Sequence, residues 1–328
     1  MMLPLPVPPG PYARPAYTSL LETGLYANGA ALVVDRQAVA FEPTYRLWSD
    51  GATKRRFMKL PPGTQIDTTD MDHWIFPVGT KFWKEFSHDG VLLETRLVER
   101  YGDGPEDYWF GSFVWNAAQT DATFAVDGQD DIDGTTHDAP AQKDCGACHR
   151  GDVGRVLGFS ALQLSRAPGG PQVGPTLADL ATGNWLTTAP TAPAAAVFAD
   201  PGVPFTVPGD PTAVAALGYL HANCGHCHNP NGTSWPDTQM MLRLSTGDVD
   251  VDTSAVYQSI INQPLQYWRG GAIKVRVAPG APDASAVLAR MSTRGTDDQM
   301  PPLATEIVDP DGLAAVRAWI ASLAPSTP

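Results

Sequence analysis

Residues 81–100, KFWKEFSHDGVLLETRLVER, decide how this chain begins to fold. Two runs rich in aromatic and β-branched residues flank His88-Asp89-Gly90. An Asp-Gly pair between such runs favours the tight turn of an antiparallel hairpin, whose central positions need φ above zero. The pattern repeats outward. Shorter runs at 54–60, 74–77 and 108–116 are set apart by Pro61-Pro62-Gly63 and Gly102-Asp103-Gly104-Pro105, which punctuate strands. Residues 41–135 therefore read as an antiparallel β sandwich or small barrel. Residues 1–40 form an N-terminal extension with a short helix near 18–26. Within the β module Trp48, Trp74, Trp83, Trp109 and Trp115 read as core. His73 and His88 read as surface residues, because no third ligand at a telling spacing makes them a copper site.

Length and composition bound the rest. The chain has 328 residues, 43% hydrophobic and 17% charged, which suits two folded domains rather than a disordered polymer. The net charge of −13 argues against nucleic acid and anionic membrane and leaves room for a basic protein partner. No run approaches the ~18 apolar residues of a transmembrane segment. Residues 1–10 lack the basic start and apolar core of a signal peptide, so an export signal is expected to have been removed. Asp130, Asp131 and Asp133 do not match the spacing of a calcium loop and read as a solvated turn.

Beyond residue 135 the punctuation becomes helical. Residues 136–210 carry the first cysteine motif and then a Pro-, Ala- and Gly-rich stretch expected to wrap across the surface. Residues 211–328 begin with Asp210 as N-cap and Pro211 at the first helical position, and Asp309-Pro310 repeats that signal. Leu313, Val316, Trp319, Ile320 and Leu323 then share one helical face. The fold class expected is α+β: the β module followed by a mainly α-helical region.

The chemistry sits in four cysteines, all used in two copies of one pattern. Cys145-Gly146-Ala147-Cys148-His149 and Cys224-Gly225-His226-Cys227-His228 both read C-x-x-C-H, the attachment motif of c-type haem. Two thiols three positions apart on one helical turn can each form a thioether to a haem vinyl group. The following histidine then offers a neutral imidazole nitrogen to the iron. The expected cofactors are two covalent haems c, held by Cys145 and Cys148 and by Cys224 and Cys227, with His149 and His228 as metal ligands. A single four-cysteine zinc site leaves the paired histidines as coincidence. A redox dithiol lacks the preceding strand, and an iron–sulfur cluster fits on ligand count alone.

Met300-Pro301-Pro302-Leu303 stands 72 residues after His228 and just before the last helix. A thioether opposite the histidine closes the iron and raises its potential, so Met300 is the expected sixth ligand of the second haem. Ala216 and Gly218 are expected to let the entry helix cross closely against Trp319. Over residues 210–325 the chain resembles the class I cytochrome c family, in its entry helix, its Asn223-Cys224 motif, the Pro279-Gly280 turn with a helix from Ala284, the Met300 loop and the closing helix. The remainder resembles a family of bacterial haem-binding proteins with an N-terminal β module. That likeness rests on Leu47-Trp48-Ser49-Asp50-Gly51-Ala52, Phe76-Pro77-Val78-Gly79-Thr80-Lys81, Val114-Trp115-Asn116 and Gln119-Thr120-Asp121-Ala122, and on Leu157-Gly158-Phe159 with Gln163-Leu164 after the first motif. It implies no transferable activity, only a periplasmic, outer-membrane or extracellular location, a lipoprotein included.

The first iron is less determined. Its far side could be met by His137, His221, Met240, Met241 or Met291, or be left open, and His221 could bridge the two haems. His226 lies inside a motif and is not expected to ligate either iron. The function expected is electron transfer between the two haems and a redox protein partner. The alternative is a di-haem peroxidase or oxidase with an open first iron. A third reading has the β module docking a partner while the haems deliver electrons.

Overall fold

The computed structural model describes residues 14–167, 169–194, 203–266 and 271–325. Its strands are β1 (Tyr26–Asn28), β2 (Val33–Val34), β3 (Val39–Ala40), β4 (Thr53–Lys59), β5 (Lys81–His88), β6 (Val91–Arg100), β7 (Tyr108–Trp115) and β8 (Ala122–Phe124). Strands β3 to β8 form one antiparallel meander in sequence order, and β1 pairs with β2 apart from it. The β5–β6 hairpin forms where the sequence places it, with Asp89 at φ 48° and Gly90 at φ 83°. The run at 74–77 is not a strand. It contributes a single bridge, Asp67 to Ile75.

The period of two divides the residues of the meander between its faces. Phe57, Trp83 and Leu97 are in register across β4, β5 and β6. They join Leu20, Leu25, Trp109, Phe113 and Trp115 in a cluster covered by the N-terminal segment. Met58, Phe82 and Val98 are also in register and belong to a second, larger cluster with Phe41, Phe76 and Phe159. The second half of the chain packs on that face.

The helices are α1 (Cys145–His149), α2 (Ala161–Leu164), α3 (Leu177–Thr182), α4 (Pro211–Asn223), α5 (Trp235–Thr238), α6 (Ala255–Ile260), α7 (Ala286–Met291) and α8 (Pro310–Ser322). Asp210 and Asp309 cap α4 and α8 as their sequences indicate, each accepting from two backbone N–H groups of the first turn. These two helices pack on one another. The close approach differs from the expected one. A Cβ on Gly218 would meet the Tyr45 ring at 2.1 Å, and one on Gly312 would meet Tyr219 at 2.0 Å. Gly218 therefore admits a ring of the N-terminal half, and Gly312 is the small residue between the helices.

The expected fold class is corrected. Among the described residues the structure is dominated by its sheets, eight strands in two sheets, with only 24% helix, and those of 211–328 are not a mainly helical region. The physical reason is length. Only α4 and α8 reach 13 residues, whereas α5, α6 and α7 span 4, 6 and 6. Short helices of this size are held by packing rather than by their own propensity, and proline and glycine interrupt the intervening chain. The meander is also open rather than a barrel, since β3 and β8 are not paired with each other. In the Pro-, Ala- and Gly-rich stretch, of which residues 168 and 195–202 lie outside the described residues, α3 carries a Thr176–Asp179 capping box and buries Leu177 and Leu180. No helix among the described residues is long and apolar enough to cross a membrane.

Candidate functional site

The two cysteine motifs meet. Cys227 Sγ donates to Ala147 O at 3.4 Å, and Thr233 Oγ1 donates to the same carbonyl at 3.0 Å. Glycines make this approach possible. A Cβ on Gly151 would lie 1.7 Å from His226 O, and one on Gly232 would lie 2.0 Å from Cys227 O. Arg243 ties the seam to the β module, donating to Asp152 at 2.7 Å and to the Asp72 carbonyl at 2.5 Å.

The seam separates two cavities. The first, about 430 Å³, is lined by Cys145, Cys148 and His149 on one side and by the β4–β6 sheet face on another. The second, about 300 Å³, holds Cys224, His228 and Met300. Both fall within the ~300–1,000 Å³ of small-molecule and cofactor sites. Every motif cysteine is a free, half-buried thiol. Burial pushes the Cys145 thiol up to about 11 and that of Cys224 to about 12. The neighbouring Cys227 thiol lowers the Cys148 pKa, and Cys148 raises that of Cys227.

Both motif histidines suit a metal. His149 Nδ1 is 2.6 Å from the Arg155 carbonyl, which fixes the tautomer that leaves Nε2 as a lone-pair donor. Burial, then the charge of Lys84, pushes His149 down to about 3. Burial, then His226, pushes His228 down to about 4, and its Nδ1 is buried without a partner. Each imidazole is thus neutral at ordinary pH and able to donate to iron.

Met300 lines the second cavity, and Met240 and Met291 line it too. The loop after Met300 turns back to the first cavity, where Pro301, Leu303, Ala304 and Thr305 form part of the wall. Asp50 pins this loop. Its carboxylate accepts from Thr305 Oγ1 and Glu306 N at 2.7 Å each and from Ile307 N at 3.3 Å. Trp48 Nε1 donates to Asp50 at 2.9 Å and to the Ile307 carbonyl at 2.9 Å. The Trp48 backbone N–H in turn donates to Asn223, the residue before Cys224, at 2.7 Å. The Leu47-Trp48-Ser49-Asp50 segment is therefore a clasp between the second motif and the Met300 loop. Trp48 is not a core residue but half-buried and part of the first cavity's wall.

The five residues considered for the far side of the first iron lie elsewhere. His137 is buried against Glu94 at 2.8 Å. His221 Nδ1 accepts from Leu244 N at 3.0 Å. Met240 and Met291 belong to the second cavity, and Met241 packs against the main core. Among the described residues no methionine lines the first cavity, and its histidines are His149 and His226. His226, set aside in the sequence, also groups with Cys148 and Cys227, the three ligand atoms lying within 4.8 Å of one another. Cys145 and Cys224 are outside that group, so the four thiols do not converge on one tetrahedral zinc site. His73 and His88 are surface residues, paired with Asp70 at 3.0 Å and Asp89 at 3.2 Å.

Sequence reasoning missed the charges of the first cavity. Lys54 and Arg56 on β4, Lys84 on β5 and Arg96 on β6 all line it, amid Phe82, Phe86 and Val98. The signal was present: these cations alternate in step with apolar residues of the face that packs inward.

No protein-family model, no curated protein and no solved structure matches this chain. The site is read from its own residues.

Proposed function

We propose that this chain is a di-haem c-type cytochrome that exchanges electrons between two covalently held haems and a periplasmic or extracellular redox protein. The observation that carries the reading is the seam. Two C-x-x-C-H turns meet at the Ala147 carbonyl, with Cys145, Cys148 and His149 lining one cavity and Cys224 and His228 lining another. A pair of centres held this way favours rapid exchange between them and needs no moving part.

Haem supplies one-electron chemistry when bound. The chain's residues do the remainder. Cys145 and Cys148, and Cys224 and Cys227, anchor the two groups by thioether bonds. His149 and His228 donate neutral imidazoles. Met300 closes the second site and favours the reduced state there, while the Asp50 clasp keeps its loop in place. The acidic chain, net charge −13, suits a basic partner surface. The likeness to class I cytochromes c and to bacterial haem-binding proteins supports the same reading and an exported location.

A second reading is favoured by one specific observation. Among the described residues the first cavity has no methionine in its wall and carries several cations, which would leave an iron held there open to a small ligand, as in a di-haem peroxidase or oxidase. A redox titration followed by absorption, with and without carbon monoxide, tests both. Two haem waves and no carbon monoxide response support pure electron transfer. A response from half of the haem moves the enzyme reading ahead. A protein matured with the haem-attachment machinery that shows no haem signal and holds zinc at Cys148, His226 and Cys227 contradicts both.

A further inference from the structure

The inner face of the meander carries a row of cations that is only partly neutralised among the described residues. Arg56 stands opposite Lys84, Lys84 opposite Arg96, and Arg96 opposite Ser112, across β4, β5, β6 and β7. Residues directly opposite have Cβ atoms ~4.5–5.5 Å apart, and like charges in such pairs repel. Buried ions without counter-charge cost more still.

Partners account for only part of the row. Glu94 holds Arg96 with two bonds of 2.7 and 2.8 Å, and His137 with a third. Lys54, one row along, donates to the Leu47 and Trp48 carbonyls at 2.7 and 3.1 Å. Among the described residues the side chains of Arg56 and Lys84 donate no hydrogen bond and form no ion pair. Arg56 Nε is buried with no acceptor, and so is Ser112 Oγ at the other end of the row. Burial, then Arg56 and Arg96, pushes the Lys84 ammonium down to about 7. Asp127, Asp130, Asp138 and Asp144 line the same cavity; their carboxylates form no ion pair with the row, and the Asp138 carbonyl accepts from Arg96 at 3.0 Å. Arg56 and Lys84 thus face the cavity with no acceptor among the described residues, beside an Arg96 already held by Glu94 and the Asp138 carbonyl.

We propose that Arg56, Lys84 and Arg96 form an anion clamp in the first cavity, and that its occupant is the pair of propionate carboxylates of the haem held by Cys145, Cys148 and His149. The assignment rests on the proposed di-haem function. Two carboxylates bring the charge and the acceptors that the row lacks, and charge-assisted bonds of this kind are the strong ones. The clamp adds a second hold on the first haem that the second cavity does not repeat in this form. There Arg276 already donates to the Ser259 carbonyl and Gln266, at 2.7 and 2.8 Å.

The test uses the mature holoprotein and three variants: Lys84→Gln, Arg56→Gln and the charge-conserving Arg56→Lys. Haem per chain, the midpoint of each haem and azide affinity at the first iron are read on all of them. The expected result is two haems throughout. Each glutamine variant lowers the first midpoint by about tenfold in its reduction equilibrium, ~59 mV for one electron. The second midpoint stays in place, Arg56→Lys behaves as the parent, and azide affinity changes little. Midpoints that do not move overturn the clamp. So does a tenfold loss of azide affinity with an unmoved midpoint, which would make the row a site for an incoming anion instead. Absence of haem from Cys145 and Cys148 in the parent protein would overturn the functional reading, and the clamp with it.

Discussion

Asp50→Asn isolates the clasp that holds the Met300 loop. Asp50 is 8% exposed and sits at φ 50°, a conformation asparagine tolerates, so the change removes charge and one acceptor without new backbone strain. One carboxylate oxygen serves Trp48, Thr305 and Ile307, and the other serves Glu306 N. In the variant an amide NH₂ replaces the oxygen facing Glu306 N–H, leaving a donor opposite a donor. An orphaned buried donor costs ~1–3 kcal/mol, and the three bonds that remain lose their charge assistance, for a total of about 2–4 kcal/mol. At ~2–4 °C per kcal/mol the melting temperature falls by roughly 4–16 °C. Hydrogen exchange gives the local measure. The Glu306 and Ile307 amides should exchange roughly 30- to 1,000-fold faster, with amides of the β5–β6 hairpin unchanged. In the mature protein the loosened loop should also make the second iron responsive to carbon monoxide. Unchanged melting and unchanged exchange at 306 and 307 would refute the clasp.

Other perturbations separate the parts of the account. Met300→Ala should open the second iron to carbon monoxide and lower its midpoint while leaving the first unmoved; equal shifts at both would count against separate cavities. Cys145→Ala with Cys148→Ala should leave one haem per chain in a pyridine haemochrome assay, that of Cys224 and Cys227. Gly151→Ala pushes a methyl into the His226 carbonyl and should destabilise by about 1–3 kcal/mol in denaturant unfolding, as overpacking does. Glu94→Gln removes the buried carboxylate that pairs with the half-buried Arg96, leaving it the Asp138 carbonyl and a neutral amide, and should cost about 1–3 kcal/mol at neutral pH. Burial raises the Glu94 pKa, but Arg96 and then His137 outweigh it and hold the carboxyl below its ordinary value. Its contribution is therefore complete above the ordinary glutamate range and lost as pH falls through the lower folded value. The gap between parent and variant should be constant near neutrality and close on acidification.

What the sequence made legible was local. Asp89-Gly90, Asp210-Pro211 and Asp309-Pro310 each carry their signal within a few residues, and each forms as read. The cysteine motifs are likewise complete in five residues. What remained hidden depends on which distant residues share a space. Asp50 meets residues 305–307 across more than 250 positions, and no local pattern marks it as a clasp. The row Arg56–Lys84–Arg96 exists only once the strand register is known, since a slip of one residue would send all three to the other face. The helical reading of the C-terminal half failed because two good capping signals, for α4 and α8, were extended to a region whose other helices are four to six residues long.

The most direct test of the central claim is the mass of the chain purified from cells with a working haem-attachment system, taken with its pyridine haemochrome spectrum. The account predicts a mass increased by two haems that survives denaturation, and a haem c spectrum equivalent to two per chain. A chain at its unmodified mass, with four titratable thiols and no haem absorption, would contradict it.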